Sequence, residues 1–117
     1  MSRTLITYQL EIAVARPLRI TVGRFGTFRF PAGRYVYTGS ARRNLEARVA
    51  RHLRRDKKPR WHIDWLLLAS GVSVTAVRRS SRDECVVNRA TRGTALVPGF
   101  GASDCRAGCC SHLRYIG

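Results

Sequence analysis

Acidic side chains are scarce in this chain: 7 Asp and Glu stand against 22 Lys and Arg among 117 residues, a formal charge of +15. A domain carrying that excess repels itself unless it is matched to a polyanion, and DNA, RNA and an acidic membrane surface are the obvious ones. Long apolar runs are missing too. None approaches the about 18 residues that a spanning helix needs, and the longest, Trp65 to Ala69, reads as a piece of helix core. The opening Met1-Ser2-Arg3-Thr4 carries no apolar segment and no small-residue cleavage site, so no secretory signal is expected. A cytoplasmic protein without membrane contact follows, one in which the four cysteines stay reduced. Repeats, low-complexity linkers and shifts of composition are absent as well. What is present, 44% apolar residues in 117, suffices for one core and not two. The expectation is a single domain over 1–117 with a Cys-rich tail over about 98–117.

The apolar residues fall into readable periods. Ile6, Tyr8, Leu10, Ile12 and Val14 alternate with Thr7, Gln9 and Glu11, which predicts a strand over Leu5 to Val14 with its apolar face inward. After Arg16-Pro17, Leu18 to Val22 reads as a second strand in a hairpin with the first. Gly23 to Gly33, punctuated by Gly26 and Pro31, reads as a loop, and Arg34 to Thr38 as a short strand ended by Gly39. A helix is expected from Arg42 or Asn44 to Asp56, with Leu45, Val49 and Leu53 as its apolar stripe and Arg48 and His52 on its edge. Trp61 to Ser70 reads as a buried helix, Val72 to Arg79 as a strand, Arg82 to Thr91 as a third helix, and the tail from Pro98 as loop. The order predicts an α+β fold, a small antiparallel β-sheet flanked by helices.

The chemistry gathers around Tyr37-Thr38-Gly39-Ser40-Ala41, Asn44-Leu45, Arg48 and His52. A tyrosine ends a strand, a glycine turns the chain, and an arginine and a histidine four residues apart share one side of the next helix. Tyr8 lies in the same sheet as Tyr37. Two phenols, a guanidinium, an imidazole and a carboxylate are what phosphodiester hydrolysis uses to deprotonate water, neutralise phosphoryl charge and release the leaving oxygen.

In these residues the chain resembles the GIY-YIG nuclease superfamily, with Ile6-Thr7-Tyr8 in the place of the first triplet and Tyr37-Thr38-Gly39 in that of the second. More closely it resembles a compact single-domain group of unknown function that occurs alone or joined to endonuclease III. Gly33 to Ala41, Arg51-His52-Leu53 with Trp61-His62-Ile63-Asp64, and Gly99 to Cys105 with Ser111-His112-Leu113 carry that likeness across nearly the whole chain. The resemblance implies a metal-dependent endonuclease acting on DNA. Tyr8 would orient or activate the nucleophile, and Tyr37 would act as general base or relay. Arg48 would bind the scissile phosphate, and His52 would assist proton transfer or contact the phosphate. Glu84 would hold one Mg²⁺ or Mn²⁺, with water and substrate completing the shell. Arg42, Arg43, Arg51 and Arg55 are candidates for further nucleic-acid contacts. Ile6 departs from the glycine usual in the first triplet, and no asparagine stands at the spacing many members use.

Each residue also has a plainer reading. Tyr8, Tyr35 and Tyr37 could pack a sheet, and Arg48 could be one more solvated arginine. Ser81-Arg82-Asp83-Glu84 spells a capping box in which Glu84 bonds back to Ser81. Asp64 and His62 read as loop anchors. Cys105, Cys109, Cys110 and His112 could hold a structural zinc, although His112 follows Cys110 too closely for paired ligands. The alternative function is a non-catalytic basic module binding DNA or RNA on the same fold.

Overall fold

The alternation that begins at Tyr8 decides the centre of the domain. In the computed structural model, which describes residues 4–41, 43–101 and 111–117, Tyr8, Leu10, Ile12 and Val14 form the buried face of β1 (Thr7–Val14). Both edges of β1 are taken. β4 (Gly33–Ser40) pairs antiparallel on one side and β5 (Val72–Ser80) on the other, and β6 (Leu113–Tyr115) extends the sheet beyond β4 in the order β5-β1-β4-β6. With α1 (Leu45–Leu53), α2 (His62–Leu67) and α3 (Glu84–Ala90) packed around this antiparallel sheet, the fold is α+β. Among the described residues, no helix is long and apolar enough to cross a membrane.

Because β1 has no free edge, the expected hairpin with Leu18 to Val22 does not form. That segment, β2 (Leu18–Val22), pairs instead with β3 (Gly26–Phe30) as a separate two-stranded ribbon. The turn between them closes on a hydrogen bond from the Phe25 amide to the Val22 carbonyl, 2.9 Å. The glycines and proline that made Gly23 to Gly33 look like loop mark only its two ends. Val22 and Phe30 bring the ribbon into the core, where Phe30 meets Tyr35 and Phe100 edge-on. The tail also differs from expectation. Leu113 to Tyr115 add a strand to β4, a run too short to show a period.

The helices are shorter than their patterns. In α1, Leu45 and Val49 are buried, but Leu53 is 52% exposed and His52 is 2% exposed in its place. The stripe therefore runs i, i+4, i+7, the alternative a 3.6-residue period allows. The helix ends where Arg54 turns extended, and Lys57 Nζ donates to the carbonyls of Arg51 and His52 at 3.1 and 2.8 Å. A cation there satisfies open carbonyls and complements the helix dipole. Thr7, Gln9 and Thr38 belong to the sheet's other face, which α3 crosses: Gln9 Nε2 donates to Thr38 Oγ1 and to Thr91 Oγ1, just past the helix.

Asp64 ties this assembly together from inside. It is fully buried and accepts from the amides of Arg60 and Trp61 at 2.8 and 2.9 Å and from Arg51 Nη1 at 3.1 Å. Burial pushes its carboxyl upward, but the two amides and the guanidinium outweigh that and hold it below the ordinary carboxylate range. Its contribution to stability is therefore present at neutral pH and lost as pH falls through that depressed value. Asp64→Ala strands buried donors and is expected to lower the unfolding free energy by about 3 kcal/mol in urea denaturation at pH 7. An unchanged midpoint would show that Asp64 does not anchor α2.

Candidate functional site

The ends of β1 and β4 meet where Gly39 lies opposite Tyr8. This glycine is required by close approach. A Cβ at position 39 would overlap the Tyr8 phenol, whose ring crosses directly over the strand there. The crossing carries the Tyr8 hydroxyl to His52 Nε2 at 2.6 Å, linking the sheet to α1. Tyr37, two residues before Gly39, turns its ring edge toward His52 and Phe100 with centroids 6.1 and 6.5 Å apart. Gly101, at φ +66°, leaves the space that this ring fills.

A cleft of ≈ 300 Å³ opens in front of these phenols. Tyr8, Tyr37, Ser40, Arg48, Glu84 and His112 line it, with Trp61 and Arg60 at one side. Arg48 comes from the second turn of α1 and is fixed by a hydrogen bond from Nη1 to the Ser40 carbonyl, 2.9 Å, and by the Trp61 ring 4.9 Å from its guanidinium carbon. Glu84 comes from the start of α3. The helix is capped by Asp83, whose side chain accepts from the Cys85 amide at 3.0 Å. The capping-box reading of Glu84 with Ser81 is thereby corrected: with Asp83 at the N-cap, Glu84 turns to the cleft. There it accepts from Ser40 Oγ at 3.2 Å and from His112 Nδ1 at 3.0 Å. Among the described lining residues, Glu84 is the only acid.

Burial dominates the titration of the inner groups. It raises both phenols above their ordinary range, and for Tyr8 the neighbouring Arg48 works against it while Glu84 adds to it. For Tyr37, Tyr8 and Glu84 add to burial and Arg48 opposes it. His52 moves the other way, to about 4, because burial and then Lys57 disfavour the imidazolium more than Asp64 favours it. Near neutral pH the pair is therefore a protonated phenol donating to a neutral imidazole. The other nitrogen, Nδ1, lies 3.9 Å from Asp64 Oδ1. A proton on Nδ1 faces that carboxylate, whereas a lone pair there would be repelled by it, so the Nδ1–H tautomer is favoured.

The four residues expected at the centre thus meet, with Tyr8, Tyr37 and Arg48 on the cleft wall and His52 directly behind Tyr8. Glu84 joins them. The basic residues do so less uniformly. Arg43 is exposed on the segment before α1. Arg51 is engaged with Asp64, the Lys58 carbonyl and the Trp61 ring. Arg55 donates to the Val72 carbonyl beside a different depression, behind His52. Arg42 lies outside the described residues, as do Cys105, Cys109 and Cys110 of the zinc reading. His62 accepts from the Gly101 amide at 3.0 Å and, like Asp64, anchors a loop. The sequence pattern assigns no role to Ser40, Arg60 or Trp61, and places His112 only as a candidate zinc ligand. The last carried the one usable signal, an imidazole in Ser111-His112-Leu113, but no local period could bring it beside Glu84.

Two measurements check this geometry. Between pH 6.5 and about 4 the unfolded chain binds a proton at His52 that the folded chain refuses. Stability is therefore expected to fall as pH is lowered across that window, by on the order of 3 kcal/mol from this residue. His52→Asn should flatten that part of the pH profile of urea unfolding; an equal slope in the variant would contradict a buried neutral imidazole. Gly39→Ala must push the Tyr8 ring away and is expected to cost about 1–3 kcal/mol in the same assay, while a neutral result would refute the close crossing.

No curated protein and no solved structure matches the chain. A family model does, over residues 7–117, from the first residue of β1 through the cleft residue His112 to the last residue of the chain. The chain belongs to the family described as Domain of unknown function DUF123.

Proposed function

We propose that this protein is a metal-dependent endonuclease that hydrolyses phosphodiester bonds in DNA. The observation that carries the reading is the convergence of Tyr8, Arg48 and Glu84 on one open cleft, with a neutral imidazole against the Tyr8 hydroxyl. The resemblance of the Tyr8 and Tyr37 segments to the two triplets of the GIY-YIG superfamily supports it, as does the +15 charge of the chain.

The roles follow from what each side chain offers. Arg48 is held at two points and presents a guanidinium suited to the non-bridging oxygens of a phosphodiester, where charge grows as water attacks phosphorus. Of the two phenols, Tyr8 is the one with a base against it. It can take a proton from the attacking water while giving its own to His52 Nε2. The imidazolium so formed has the Asp64 carboxylate 3.9 Å from its other nitrogen. Tyr37 walls the cleft beside Tyr8 and orients the water. Attack forms one phosphorus–oxygen bond and breaks another, leaving a phosphate monoester and a sugar alkoxide that takes a proton from solvent water to become the hydroxyl, while the His52 imidazolium returns its proton through Tyr8 to solvent.

Among the described residues, no group of three or more His, Cys, Asp and Glu is placed to hold an ion. Mg²⁺ and Mn²⁺ do not require one, since one or two carboxylates with water and substrate oxygens suffice. Glu84, braced by Ser40 and His112 on the open cleft, fits that requirement. When bound, the ion supplies neutralisation of the phosphoryl oxygens and of the leaving oxygen.

The experiment is cleavage of labelled single-stranded, duplex and branched oligonucleotides with Mg²⁺ or Mn²⁺, with a chelator as control. The wild type should cut and the chelator should stop it. Arg48→Ala should lower the rate roughly 10²–10³-fold, and Glu84→Gln should remove the response to metal while most binding survives. Binding without cutting on every substrate and with either metal would leave a non-catalytic basic module for DNA or RNA.

A further inference from the structure

The cleft is not closed at its Trp61 side. A second depression, ≈ 570 Å³, adjoins it, and the two share Arg60, Trp61 and His62 as a common wall. The far wall is the turn of the β2–β3 ribbon with Arg24 and Phe25, and Trp65 of α2 forms the floor near Gly23. Among its described lining residues none is acidic, whereas Arg24 and Arg60 are both exposed on it.

The aromatic residues here are placed differently from those of the core. Phe28 and Phe30 lie along a strand and turn inward in the usual alternation, Phe30 completely. Phe25 sits at the tip of the ribbon and remains 36% exposed, its ring stacked on His62 at 4.3 Å between centroids and 6° between planes. Trp61 has the guanidinium carbons of Arg48, Arg51 and Arg60 within 4.4 to 5.3 Å of its ring centroid. Aromatic surface interleaved with arginine, in a groove with no acid among its described lining residues, is what a polyanion bearing flat apolar rings requires. A duplex hides its base faces in the stack and offers only phosphates and groove edges, but an unpaired strand offers both base faces and phosphates.

We propose that this depression is a stacking site for unpaired bases, so that the nucleic acid taken by the adjoining cleft is single-stranded where it lies on the protein. The bases rest against Phe25 and the Trp61–Trp65 wall, and Arg24 and Arg60 follow the backbone. Arg60 and Trp61 belong to both depressions, so a strand leaving the Arg48 end of the cleft runs directly onto the aromatic surface. The assignment rests on the phosphodiester reading of the cleft and adds the form of the substrate.

The test measures binding by the full chain in chelator, so that no cutting intervenes, to an oligothymidylate, an abasic strand of equal length and a blunt duplex. The two tryptophans of the chain, Trp61 and Trp65, both line this depression and report on it directly. Oligothymidylate should quench their emission and bind roughly 10-fold more tightly than the abasic strand. Phe25→Ala should remove roughly that factor for oligothymidylate and leave the abasic strand and the duplex unchanged, and Phe25→Tyr should restore it. Equal affinity for oligothymidylate and the abasic strand, or an equal loss on both in Phe25→Ala, would overturn the stacking site. Cleavage by the wild type, run separately with Mn²⁺, keeps the two readings apart. Cutting without base-dependent binding removes only the stacking site, and base-dependent binding without cutting removes only the nuclease.

Discussion

The hydrogen bond between Tyr8 and His52 is the constraint on which the candidate site depends. It joins the central strand to α1 at 2.6 Å, and almost everything nearby serves to make it possible. Gly39 opens the path for the phenol across β4. Lys57 closes the end of α1 just after the imidazole, and Asp64 stands 3.9 Å from the far nitrogen while fixing the start of α2. Burial keeps the phenol protonated and the imidazole neutral near pH 7, because each charged form would lose its hydration without full compensation. The outcome is a donor and an acceptor in fixed order, with the phenol facing an open cleft.

Around that pair the charge distribution is sharply divided. Among the described residues the two carboxylates close to the site, Asp64 and Glu84, are both engaged. Asp64 takes three donors in the interior and Glu84 takes two at the cleft. Arginines stand on the open side instead: Arg48, half-buried, at the cleft, and the exposed Arg60 where it meets the second depression and Arg24 at the ribbon tip. A scarcity of acid in the sequence thus has a local form. Among the described residues one carboxylate, Glu84, faces the cleft, which under the proposed function leaves room for a single divalent ion and little repulsion of a phosphate.

How much of this was legible beforehand depended on the range of the signal. The period-2 alternation of Tyr8 to Val14 and the 3.6-residue spacing around Arg48 are local, and β1, β4 and α1 follow them. The partner of β2 was not local. Whether Leu18 to Val22 pairs with β1 or with Gly26 to Phe30 is decided by β4 and β5 filling both edges of β1, and β5 lies some fifty residues away. The choice of His52 over Leu53 as the inward residue was hidden likewise. Hydrophobicity favours Leu53, and only the hydrogen bond offered by Tyr8, together with the slightly different angle of i+7, turns the histidine in. Glu84 had two local readings, and the Asp83 cap released it to the cleft. His112 could not be linked to Glu84 from spacing, since β6 has to be laid against β4 first.

The cleft's proposed chemistry therefore returns to the state of one imidazole. Nitrogen-15 and proton shifts of the His52 ring, followed from pH 7 to pH 4.5 in the folded protein, report its charge and tautomer directly. The account predicts a neutral ring over that whole range, protonated at Nδ1, with an unprotonated Nε2 accepting from the Tyr8 hydroxyl. A ring that titrates near 6.5, or that carries its proton on Nε2, would contradict it.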